Sequence, residues 1–443
     1  MRELFAGAGV LLVLGSAMLI TRLLKARLSA EVSRKIIHIT MGCTALSFPY
    51  VFEKRQSVVI LGLIAIGAML LLRLHKGIRK NVGSSLFDIK RKSFGELYYI
   101  ASIIIVFVLH QSVVEYLIPI LVLTFADSVA ALVGTNYGKN NLANEQEDKK
   151  SSEGSVMFFV TAFLCTLVPL QLMTEVGRAE VLVISFLIGL LAAMIEAVSR
   201  NGNDNFLLPL LVYSFLRYNM TQSLTALVIN FFIMLFFLAI TIFVYKATSI
   251  SKLSIIYALL VGYVVLIQGD VSWILPPLAM ILTFGTLPMM KEKEKQAAVP
   301  YQIVDANSFV GLVCVWVLVF APQYRDILYL AFSLSFACHL TLNTYNRFKN
   351  HLGVGGKTAV LCGIAKAVVF IAFPTLLITR MNWLLFALYM GCLLASVPPE
   401  FLLKKKFDFD DINIKSARVN EVLVGVIVLI FSAVAIALNG VTL

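Results

Sequence analysis

The chain has 443 residues, 59% of them hydrophobic and 14% charged, with a formal net charge of +12. This composition excludes a soluble domain, because apolar runs separated by short polar turns recur from end to end. Crossing a hydrocarbon core of ~30 Å takes about 20 helical residues, and every backbone polar group must be paired inside the segment. The alternating ten-residue pattern of a membrane barrel is absent. The expected fold is therefore all-α: a polytopic integral membrane helical bundle of about 14–16 transmembrane helices.

The first apolar stretch, Leu4–Ile20, opens on Arg2 and Glu3, whose charges nearly cancel, and further membrane segments follow. It reads as a first transmembrane helix rather than a cleaved leader. Segment two begins at Arg34-Lys35-Ile36-Ile37-His38. Those groups either snorkel to the headgroups as an interfacial anchor or face phosphate at the membrane surface. After segment three comes the most basic connection, Arg73–Lys92, which reads as a docking strip for anionic lipid or nucleotide, or as a loop that sets topology.

Segments four and five form a hairpin around His110–Glu115, and segment five carries Asp127. On a helix Asp127, Ala130, Ala131 and Gly134 share one face, and small residues at that spacing admit a second helix at close range. Asp127 is thus expected to point into protein, where an ionisable group marks function. The polar connection that follows presents Gly138, Lys139, Lys150, Ser151, Glu153, Gly154 and Ser155. An acid at the membrane edge followed by a Gly/Lys/Ser loop is what binding a metal-bound polyphosphate beside a bilayer requires.

Segments six and seven lead to Glu196, Arg200, Asp204 and Asn205. Glu196 and Arg200 form an i,i+4 pair that stabilises a helix end, and Asp204 reads as the cap of the next helix. The same acids, with Asp127, supply oxygen ligands for one Mg²⁺ or another divalent cation. Beyond Ser249 the polar residues are dispersed: Asp305 and Asn307 open one segment, Asn343 and Asn346 close another, and Lys366 lies within a third. The run Gly353–Thr358 imitates a phosphate loop but has His351 where the first glycine belongs, and no strand precedes it.

The basic residues fall lopsidedly. Alternate connections carry 29 of the 37 Lys and Arg, and the opposite set carries 7. The positive-inside rule then places the first set in the cytoplasm, with Asp127, Glu196 and Asp204 at that face. The basicity is accounted for by anionic headgroups and phosphates, and no nucleic acid partner is implied. The six cysteines are scattered through apolar segments without a CxxC pair, so neither a zinc site nor a disulfide framework is expected.

Arg34-Lys35-x-x-His38, Asp127-x-x-Ala130-x-x-x-Gly134, Gly138-Lys139, Lys150-Ser151-x-Glu153-Gly154-Ser155, Glu196 and Asp204-Asn205 with Pro209 together resemble the CTP-dependent lipid kinases. This group comprises dolichol kinase, phytol kinase and bacterial relatives, within a superfamily that includes phosphatidate cytidylyltransferases. The resemblance covers roughly residues 20 to 245 and implies CTP as co-substrate and a divalent metal. It implies Asp127, Asp204 and Glu196 as catalytic and metal-binding acids. Gly134, Gly138, Lys139, Lys150, Ser151, Glu153, Gly154, Ser155, Asn205, Arg34, Lys35 and His38 become nucleotide-binding candidates. One departure is Ala126, where the family commonly has glycine.

The implied partners are a lipid alcohol (polyprenol, phytol-like or diacylglycerol) and a nucleoside triphosphate, at the cytoplasmic face of a bacterial membrane. Cytidylyl transfer is the alternative, disfavoured because its His-Gly-Gly signature is missing. A lipid transporter or flippase is a further alternative. The expected division is a lipid kinase domain, 1–248, and an appended helical membrane domain, 249–443.

Overall fold

The computed structural model describes residues 2–24, 30–74, 94–139, 150–199, 202–247, 252–286, 301–350, 353–379, 382–397 and 414–441. Among them there is no strand, and the chain is an all-α polytopic membrane bundle. Seven helices are long and apolar enough to cross a bilayer, and seven shorter apolar helices accompany them. Much of the basic connection 73–92, the loop 140–149, Arg200 and the acidic run 407–411 lie outside the described residues.

The chain divides into two compact units, Met1–Phe232 and Ile233–Leu443. In unit 1 the helices are α1 (Arg2–Leu23), α2 (Ala30–Leu46), α3 (Arg55–Leu74), α4 (Gly95–Leu109), α5 (Val113–Tyr137), α6 (Ser152–Met173), α7 (Arg178–Val198) and α8 (Asp204–Asn219). The next helix, α9 (Leu224–Ala247), contains the boundary between the units. α7 and α8 are largely enclosed, and α6, which packs along α7 and along α5, turns most of its surface outward.

Two contacts explain how the apolar pattern becomes this bundle. Gly42 of α2 faces Thr124 of α5, and a Cβ there would sit 2.0 Å from the threonine hydroxyl. Gly154, in the first turn of α6, lies 3.4 Å by its missing Cβ from Gly134 Cα and 3.1 Å from the carbonyl of Ala130. The small-residue face of α5 is therefore the surface on which α6 docks, as the spacing predicts.

Inside α5 the ladder widens into a π turn at Val122–Ala126, immediately before Asp127 and just after Pro119. Such turns are rare, and they concentrate at functional sites.

Unit 2 contains α10 (Lys252–Gln268), α11 (Leu275–Thr286), α12 (Tyr301–Phe320), α13 (Arg325–Asn350), α14 (Gly356–Thr379), α15 (Trp383–Ala395) and α16 (Ile414–Val441). Its centre is α13, whose most apolar window is 89% buried although it carries many polar residues. α12, α14 and α16 pack around it. The turn from α13 to α14 uses Gly353 at φ +64°, a left-handed conformation that glycine adopts without steric cost. Of the cysteines, all unpaired, Cys43 lies on the exposed side of α2 rather than in the core.

Candidate functional site

The site lies where the N-terminal ends of α4, α6 and α8 meet the C-terminal ends of α5 and α7 and the early turns of α2. Consecutive antiparallel helices bring these ends to one side of unit 1. Three helix N-termini there present N–H groups with no intrahelical acceptor and the positive end of the backbone dipole. Such an end is suited to anions.

Asp127, on the first α-helical turn after the π turn, is gripped by α2. The Lys35 ammonium lies 2.7 Å from its Oδ2 and donates also to its backbone carbonyl at 3.3 Å. His38 Nε2 is 3.4 Å from the same Oδ2 and 3.1 Å from the Leu123 carbonyl of the π turn. Both acceptors face Nε2, so they fix the imidazole with its proton there and its lone pair on Nδ1. Lys35 is 7% exposed at its side chain and Asp127 22%, so the pair is largely out of water. Arg34 is half-buried beside it.

A second ion pair closes the other side. Lys150, just before α6, contacts Glu196 Oε1 at 3.0 Å and donates to the Glu196 backbone carbonyl at the end of α7. Ser155 donates to Glu196 Oε2 at 3.3 Å. Burial alone would lower the Lys150 pKa, but the charges of Glu196, then Asp204, and also Asp127 hold it above the ordinary lysine value. The three acids named from the sequence therefore share the field of one ammonium.

Ser151 caps α6, its hydroxyl accepting from Gly154 N–H at 3.1 Å. Gly134, Gly138 and Gly154 surround that hydroxyl, and a Cβ on Gly138 would fall 2.3 Å from the Gly134 carbonyl. These glycines thus serve the α5–α6 contact. Glu153 lies in the first turn of α6, and Lys139 is exposed past the end of α5. Asp204 is the first residue of α8, one position after the cap residue Asn203. It accepts from the Asn205 N–H at 3.1 Å, and the Asn205 amide donates to the Gly95 carbonyl at 3.0 Å, tying α8 to the start of α4.

Among the described residues no three His, Cys, Asp or Glu side chains gather in a geometry that could hold a metal ion. Asp127 and Glu196 each face an ammonium instead. The donors present fit a divalent cation that arrives with phosphates and takes one or two carboxylate oxygens, an ordinary arrangement for Mg²⁺. Asp204 enters none of the ion pairs found among the described residues.

Sequence reasoning missed Tyr99 and Thr124. The Tyr99 ring packs edge-on against His38 with centroids 4.6 Å apart, and its hydroxyl lies 3.4 Å from Thr124 Oγ1. Both residues are neutral and sit in apolar segments, so only the tertiary contact singles them out.

A stretch of 203 residues is 33% identical to a phytol kinase from Synechocystis sp. (strain ATCC 27184 / PCC 6803 / Kazusa). It covers 44% of this chain, in its N-terminal part, and 84% of that relative. No family model matches the chain, and no solved structure matches it. The multi-pass helical fold, the cation-lined site and this relative define a membrane-embedded phosphotransferase of the kinase type. The chain belongs to the phytol kinase and dolichol kinase-like family, and the likeness that shows it is confined to its N-terminal part.

Proposed function

We propose that unit 1 is a CTP-dependent kinase that phosphorylates a long-chain lipid alcohol, phytol-like or polyprenol, at the cytoplasmic face. The observation that carries this reading is the clustering of Lys35, His38 and Asp127 opposite Lys150 and Glu196, at the meeting of three helix N-termini. The kinship with a phytol kinase supports the acceptor class.

The triphosphate lies against the N-terminal turns of α6 and α8, with Lys150, Lys35, Arg34 and Lys139 supplying positive charge. A divalent cation bound with it would be held by Asp204 and Asp127 and would neutralise charge on the phosphates. Glu196 orients Lys150 through its side chain and its helix-terminal carbonyl. The lipid enters from the bilayer and keeps its chain there.

Its hydroxyl attacks the γ-phosphorus in line and gives its proton to the Nδ1 lone pair of His38, while the bond from that phosphorus to the β–γ bridging oxygen breaks and CDP leaves. Asp127 then stabilises the imidazolium that forms. Phosphoryl transfer depends mainly on positioning and charge neutralisation, so a few acids, lysines and one base suffice.

The test is incorporation of label into extracted lipid by purified protein supplied with phytol, polyprenol or diacylglycerol. Label from γ-labelled CTP in the lipid supports the kinase. Label from α-labelled CTP with phosphatidate would show cytidylyl transfer instead, and incorporation from ATP but not CTP would overturn the donor.

A further inference from the structure

We propose that unit 2 holds a binding site for a phosphate-type oxyanion along the face of α13 that carries His339, Asn343 and Arg347. These residues stand at i, i+4 and i+8, so they line one face over about 12 Å of helix. His339 is fully buried, and neither of its ring nitrogens has a hydrogen-bond partner among the described residues. The amide nitrogen of Asn343 is likewise buried and unpartnered among them. Arg347 is 4% exposed and completes the stripe.

Lys366 of α14 lies on another side of α13: its ammonium is 3.5 Å from the Thr283 carbonyl and 5.6 Å from the centroid of the Phe348 ring, and Phe348 stands about 180° around the helix from His339. The acid on the neighbouring helix is Asp305 of α12. Gly311 packs on Phe332 and Phe336. Six residues back along α12, and an equal step forward along the antiparallel α13, bring Asp305 to the level of His339 and Asn343. Its carboxylate accepts from Tyr257 at 2.7 Å.

The stripe therefore sets one cation, Arg347, near one acid and offers an amide N–H and an imidazole to a ligand. Buried polar groups are as a rule hydrogen-bonded, and ionisable residues at membrane depth mark binding sites and pathways. A hydrogen phosphate matches this set. Its oxygens accept from Asn343, Arg347 and the N–H of the imidazole. The head group of a phosphorylated lipid and free phosphate share this chemistry. The site stands on unit 2 alone, and only its link to the phosphorylated product rests on the kinase reading.

The experiment is thermal unfolding of the full chain in a neutral detergent with inorganic phosphate, phytyl phosphate, phytol or chloride. Phosphotransfer is measured on the same preparations. Wild type should be protected by phytyl phosphate, inorganic phosphate or both, but not by phytol or chloride, and the two phosphate arms identify the source of the anion. Asp127→Asn should retain that protection. His339→Leu and Asn343→Leu should weaken it at least tenfold in midpoint concentration while leaving phosphotransfer unchanged.

Without ligand, His339→Leu should melt at or above the wild-type temperature, since it removes orphaned polar atoms. Should either leucine variant fail to fold, Arg347→Gln provides the same binding readout. Equal protection of wild type and both leucine variants overturns the site, as does absence of phosphate-dependent protection, or protection lost only in Asp127→Asn. A kinase reading that fails leaves these melting shifts untouched and shows only as missing label.

Discussion

Asp127→Asn separates the catalytic from the structural role of the Lys35–Asp127 pair. The two groups are 2.7 Å apart, 7% and 22% exposed. Removing one partner of a buried pair leaves the other charge uncompensated and costs roughly 3–5 kcal/mol. With Asp127 one-fifth exposed, the low end of that range applies, and about 3 kcal/mol is on the order of a hundredfold in the unfolding equilibrium. Lys35→Met should cost a similar amount.

The double variant Lys35→Met/Asp127→Asn removes both charges, so it should be more stable than either single variant, because no unpaired ion remains. Activity should behave differently. His38 loses its anionic partner in both Asp127 variants, so γ-label transfer should fall at least a hundredfold there and stay low in the double. The assays are equilibrium unfolding in detergent and lipid labelling on the same samples. Single variants as stable as wild type would refute the electrostatic reasoning. Recovery of activity together with stability in the double would reduce the pair to a structural role.

Gly154→Ala would force a methyl to 3.1 Å from the Ala130 carbonyl, a backbone atom that cannot rotate away. It should destabilise by about 1–3 kcal/mol and depress lipid labelling, whereas Gly134→Ala, which meets the rotatable Ser151 hydroxyl, should be milder. Ser151→Ala removes the cap of α6 and should cost about 1 kcal/mol in an unfolding measurement.

Lys150 is held above its ordinary value of 10.5, so the stability from its pairing is complete below that pH and is lost as pH rises through the elevated folded value. Glu196→Gln should lower that pKa and bring an alkaline fall in the pH–rate profile to lower pH. An unmoved alkaline limb would show that Glu196 does not hold the lysine charged.

The pairing around Glu196 shows what local reasoning reaches. Its i,i+4 neighbour Arg200, which lies outside the described residues, is the partner that helical spacing suggests. The structure adds Lys150, 46 residues away, bound to both the carboxylate and the backbone carbonyl. In the sequence Arg34, Lys35 and His38 read either as an interfacial anchor or as groups facing phosphate, and only the fold places Lys35 and His38 against Asp127 of α5. Tyr99 and Thr124 carry no charge or motif, and their place beside His38 exists only through the close approach that Gly42 permits.

By itself the sequence determined the all-helical membrane architecture, because segment length and hydropathy answer directly to bilayer thickness and to the need to pair every backbone group. It determined the small-residue face of α5 as well, since a 3.6-residue period is a local property. Only the tertiary structure decided that Asp127 belongs to Lys35 and His38, that Glu196 belongs to Lys150, and that no three acids form a cage among the described residues. Those pairings join groups 46 to 92 residues apart. Which helices become neighbours is set by packing along their whole lengths, and no single segment carries that information.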